Sequence, residues 1–118
     1  MKILVIEDDL ELLKAIQTIL LIEGYEVDTA NSVPSGKSLL AGNTYDLVIT
    51  DIMLPHWGGF DLVDAIKKNE NGQKTPVIVI TGMDESILEN TITFAEKCIT
   101  KPFNKKKLLS AVEEFLPK

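Results

Sequence analysis

Apolar residues fall into two kinds of run along the chain, and the two kinds alternate. Apolar-rich runs of strand length occur at residues 3–6, 25–30, 47–50 and 77–81, with a weaker one at 98–100. Such runs predict strands, and Leu47, Val48 and Ile49 read as one buried on both faces. Between them, apolar positions recur every three and four residues, the period of a helix with one face on a core. Leu12, Leu13, Ile16, Ile19 and Leu20 form the first such stripe, and Gly24 supplies its C-terminal stop. Ser32 is placed to cap a second helix, Pro34 is tolerated in its first turn, and Leu39 and Leu40 face inward. Leu62, Val63 and Ile66 mark a third, which gives way to the turn-rich residues 69–76. Asp84 or Ser86 starts a fourth through Leu88, Ile92 and Ala95, and Asn104 caps a fifth carrying Leu108, Leu109, Val112, Phe115 and Leu116.

Strands alternating strictly with helices predict an α/β fold, a parallel sheet with helices on both faces. In such sheets ligands bind beyond the carboxyl ends of the strands. Glu7, Asp8 and Asp9 follow the first strand, Asp51 ends the third, Thr81 ends the fourth, and Lys101-Pro102 follows the fifth. A parallel sheet brings all of these to one edge.

Composition narrows the chemistry. The 118 residues suit one domain over residues 1–118, with one core and no linker or internal repeat. A net charge of −6 argues against nonspecific nucleic-acid binding. Cys98 is the single cysteine and His56 the single histidine, so neither an internal disulfide nor a Cys/His metal cluster can form. The opening apolar stretch is short and runs straight into carboxylates, unlike a signal peptide or a membrane span, so a cytoplasmic location is expected.

Taken singly, each candidate has an ordinary explanation. Asp51 could be a turn or cap residue, Glu7 to Asp9 could serve the first helix and its dipole, and Lys105 to Lys107 could be a solvated face rather than a docking patch. Together they make chemical sense. Clustered carboxylates repel one another, and a hard divalent cation relieves that repulsion. An all-oxygen donor set suits Mg²⁺, with Thr81 and Lys101 placed for phosphoryl oxygens. Transfer of a phosphoryl group onto an aspartate fits this set.

The acidic pair at Glu7-Asp8, Asp51-Ile-Met-Leu-Pro, the run to Thr81-Gly82, and Thr100-Lys-Pro-Phe resemble, in order and spacing, the receiver domain of two-component response regulators. The resemblance covers the whole chain. It implies a flavodoxin-like, doubly wound five-stranded sheet of order 2-1-3-4-5. Asp51 matches the phosphorylated aspartate. Glu7 and Asp8 match the acidic pair, with Asp8 the direct metal ligand, and Asp51 and the Met53 backbone carbonyl complete a Mg²⁺ site. Thr81 matches the switch hydroxyl, and Lys101 the lysine that contacts the phosphoryl group. Pro102 matches a proline that often follows a cis bond. The implied partners are a sensor histidine kinase or phosphotransfer protein as donor, and a downstream effector or an output domain missing from this chain. Many receivers also form a homodimer through the fourth helix, fifth strand and fifth helix. No membrane partner is implied.

Some positions depart from that pattern. Cys98 stands where an aromatic residue usually precedes the lysine by three, and is too small to swing inward in the same way. Phe94-Ala95 replaces a usual Gly-Ala, and the stretch from Thr81 to Lys101 is about two residues shorter than the family's. Met53 and Met83 occupy positions that govern the approach of water, so a long-lived phosphorylated form is expected. Two other functions compete. A hydrolase using an Asp nucleophile needs a second Asp two residues on, where Met53 stands. A receiver-like module that binds partners without phosphorylation would not need the acidic pair, Asp51, Thr81 and Lys101 together.

Overall fold

All five expected strands form, and all run parallel. The structure, a computed structural model, describes residues 1–51, 65–66, 75–82 and 95–117. The strands are β1 (Lys2–Ile6), β2 (Glu26–Ala30), β3 (Leu47–Asp51), β4 (Val77–Thr81) and β5 (Lys97–Thr100). Their order in the sheet is β2-β1-β3-β4-β5, the expected doubly wound arrangement. Three described helices have full bounds, α1 (Leu10–Ile22), α2 (Val33–Gly42) and α3 (Lys105–Phe115). Ala65 and Ile66 are helical, where the third predicted helix was expected. The fourth predicted helix lies almost wholly outside the described residues.

The caps follow the sequence closely. The Asp9 carboxylate accepts from the amides of Glu11 and Leu12, Ser32 Oγ from Ser35, and Asn104 Oδ1 from Lys107, so each meets amides the helix start would leave unpaired. Gly24 follows α1 with φ of 94°, a left-handed turn that a Cβ would strain. Boundaries shifted by one residue in places. Tyr25 lies before β2 and Lys97 joins β5, while β3 ends in Asp51 as expected.

Strand alternation splits the core in two. Ile3, Val5, Leu47, Ile49, Ile78, Ile80 and Ile99 face α1 and α3. Leu4, Ile6, Val48, Val77 and Val79 face α2 and Ile66. Each side chain of this size removed from water contributes about 1.5–3 kcal/mol. In α1 the deepest residues are Leu13, Ile16 and Leu20, while Leu12 and Ile19 are only partly buried. At the amino edge of the sheet, far from the site, polar groups satisfy one another: the Tyr45 hydroxyl donates to Asp28 Oδ2 at 2.7 Å, and Lys2 Nζ to Asn43 Oδ1 at 3.1 Å. No helix among the described residues is long and apolar enough to cross a membrane.

Candidate phosphoacceptor site

Register places the candidate residues. Ile6 pairs with Thr50, and Asp51 with Ile80, so Glu7 just past β1, Asp51 at the end of β3 and Thr81 at the end of β4 lie along three adjacent strand ends. The Glu7 amide donates to Ala30 O at 3.0 Å, which carries the β1 ladder one residue past the strand. The Lys101 amide donates to Thr81 O at 2.8 Å and fixes the lysine beside the end of β4. The Lys101–Pro102 peptide bond is cis.

Glu7, Asp8 and Asp51 each offer a carboxylate oxygen, and these oxygens lie within 4.8 Å of one another. Glu7 is fully buried, Asp51 is 4% exposed, and Asp8 is open to solvent. Lys101 Nζ donates to Glu7 Oε1 and to Asp51 Oδ2, both at 2.7 Å. The second Glu7 oxygen accepts from the Asp9 amide at 3.3 Å. Thr81 is fully buried at the carboxyl end of β4.

The electrostatics follow from this crowding. Burial raises the Glu7 pKa above the ordinary carboxylate value, and neighbouring Asp8 and Asp51 push the same way; the hydrogen bonds from Lys101 and Asp9 oppose them without cancelling the rise. For Lys101, burial works against the ammonium, but its hydrogen bonds to Asp51 and Glu7 outweigh that and hold its pKa above the ordinary lysine value. Three carboxylates face one ammonium, an excess of two negative charges. The donors are all hard oxygens, one of them solvent-facing, so the cluster fits Mg²⁺ in charge and in chemistry.

Five of the six expected site residues therefore meet: Glu7, Asp8, Asp51, Thr81 and Lys101. Met53 lies outside the described residues, as do Met83, His56 and Phe94. Sequence reasoning missed two contacts. It paired Lys101 with a phosphoryl group and did not foresee its bond to Glu7. It gave Asp9 a capping role and missed its backbone donation to Glu7, which no side-chain pattern announces.

The response regulator receiver domain family matches residues 3–113. This chain belongs to that family. A receiver domain protein from Clostridium thermocellum is 34% identical, over 98% of this chain and 93% of that one, with a TM-score of 0.80. The response regulator TrrA from Thermotoga maritima, solved in complex with Mg²⁺-BeF, is 28% identical over 97% of both chains, with a TM-score of 0.81. The CpxR homolog of Haemophilus influenzae, a transcriptional regulatory protein, is 32% identical over 98% of this chain. The chain spans about half the length of the curated relatives it matches, 50% in that case. As a receiver domain of two-component response regulators, it is a phosphoacceptor signalling module with a flavodoxin-like fold.

Proposed function

We propose that Asp51 is the phosphoacceptor and that residues 1–118 form a single receiver domain. An Asp51 carboxylate oxygen attacks the phosphorus of a phosphohistidine, on a sensor histidine kinase or a phosphotransfer protein. The phosphorus–nitrogen bond breaks, and its electron pair stays on the imidazole. Lys101 holds Asp51 in place and meets the equatorial oxygens of the phosphoryl group. Glu7, Asp8, Asp51 and the Met53 carbonyl would hold Mg²⁺. Bound there, the cation neutralises phosphoryl charge. Thr81 then turns to the phosphoryl group and biases a two-state surface read by a downstream effector or an output domain. Water later cleaves the acyl phosphate, with Met53 and Met83 slowing its approach. The domain thus catalyses only its own phosphorylation and dephosphorylation, in the cytoplasm, without contacting nucleic acid itself.

The observation that carries this reading is the Lys101 ammonium bridging Asp51 and buried Glu7 at 2.7 Å to each. The test is intact-mass spectrometry after incubation with acetyl phosphate, with and without Mg²⁺. One added phosphoryl group, absent in Asp51→Asn and without Mg²⁺, is expected. An unchanged mass in the folded wild type, with acetyl phosphate and with a phosphorylated donor kinase, would favour a module that binds partners unmodified. The life of the added mass in Met53→Asn with Met83→Glu, expected to be shorter than in wild type, tests the water-exclusion reading.

A further inference from the structure

Glu7 is the fully buried member of the carboxylate cluster, so both of its oxygens need donors. Lys101 serves Oε1, and the Asp9 amide serves Oε2 at 3.3 Å. That amide points back at Glu7 while residue 9 holds an extended conformation, φ −76° and ψ 106°, as the N-cap of α1. The cap is closed by Asp9's own carboxylate, whose Oδ1 accepts from Glu11 at 3.1 Å and Leu12 at 3.2 Å. The side chain of Asp9 thus faces forward into the helix, and its backbone faces back into the site. The Asp9 carboxylate also stays out of the cluster, which holds Glu7, Asp8 and Asp51 alone among the described residues.

We propose that Asp9 is a positioning residue for the cation site: by capping α1 it fixes its own amide on Glu7, and so sets the orientation of Glu7 beside Asp8 and Asp51. The proposal rests on the phosphoacceptor reading above. It differs from a purely structural cap in one respect. A structural cap would alter stability and leave the cation affinity of the folded protein alone.

The experiment is calorimetric titration of the whole chain with MgCl₂, together with thermal melts and the rate of phosphorylation by acetyl phosphate at limiting Mg²⁺. Asp9→Asn retains a capping oxygen and drops the charge, and its Kd for Mg²⁺ is expected within about twofold of wild type. Asp9→Ala loses the cap, and its Kd is expected to rise about tenfold, the usual scale for groups that orient a ligand. Asp9→Gly, tolerated at the N-cap position, repeats the test if Asp9→Ala does not fold. Wild-type affinity in folded Asp9→Ala or Asp9→Gly, with only a lower Tm, would overturn the proposal. Asp9→Asn binding as weakly as Asp9→Ala would also overturn it, by making charge and not cap geometry the cause. Absence of Mg²⁺ binding in the wild type itself would overturn the functional reading, and this proposal with it.

Discussion

Lys101 Nζ stands 2.7 Å from Asp51 Oδ2, joining two residues 50 positions apart in the chain. The same ammonium is 2.7 Å from Glu7 Oε1. Before any phosphoryl group arrives, Lys101 is the countercharge of two buried carboxylates. Lys101→Met leaves them facing each other. Breaking a fully buried pair costs about 3–5 kcal/mol, and Lys101 is partly exposed, so a loss of about 2 kcal/mol at pH 7 is expected. The loss should shrink as the pH falls and Glu7, its pKa raised by burial, takes up a proton. Urea denaturation across a pH series checks this, and equal stability of variant and wild type at pH 7 would remove the countercharge role.

The raised Glu7 pKa gives a pH dependence of definite sign. A carboxyl whose folded pKa lies above its unfolded value binds more protons in the folded state. Its favourable contribution is complete below the unfolded value, near 4.5, and is lost as pH rises through the higher folded value. Glu7→Gln removes this titration. Without Mg²⁺, the Tm of Glu7→Gln minus that of wild type should therefore increase from pH 4 to pH 7. A flat or falling difference in calorimetric melts would contradict the assigned direction.

Asp8 is the exposed carboxylate of the three, and its replacement separates cation binding from folding. Asp8→Asn removes one charged donor and buries nothing new. Mg²⁺ affinity should fall by about tenfold, within the range for lost metal-site groups. Stability without Mg²⁺ should stay within about 0.5 kcal/mol of wild type, as for most surface changes. Titration calorimetry and denaturant midpoints report the two effects independently.

Gly36 shows how tightly α2 sits on β1. A Cβ at this position would lie 2.6 Å from Ile6 Cδ1. Alanine is better than glycine inside a helix by about 1 kcal/mol. Overpacking of a filled core costs about 1–3 kcal/mol. The clash is therefore expected to win, and Gly36→Ala should destabilise by about 1 kcal/mol in chemical denaturation. A stabilised variant would mean that Ile6 repacks freely.

Much of this protein was legible without coordinates. The apolar runs of β1, β3 and β4 marked strands because a strand buried on both faces has few polar alternatives, whereas β2 and β5, the edge strands, stay partly exposed. Asp9, Ser32 and Asn104 marked three helix starts because short polar side chains satisfy amides that the helix leaves unpaired. The clustering of Glu7, Asp8 and Asp51 was also legible, since parallel strands deliver their carboxyl ends to one edge. One-residue shifts, such as Lys97 joining β5, escaped because ladder hydrogen bonds and not side-chain pattern decide where a strand begins.

Tertiary structure decided what each group touches. Nothing in the order of residues says that Lys101 divides itself between Glu7 and Asp51, or that the Asp9 amide serves Glu7. Those contacts depend on the separation of strand ends and on the direction of a backbone N–H. Burial depends on them too: Glu7 is sealed while adjacent Asp8 is open to water. Pattern along a chain encodes which residues share a face or an edge. Distance, solvent access and the donor that meets a given oxygen arise only when separate elements pack.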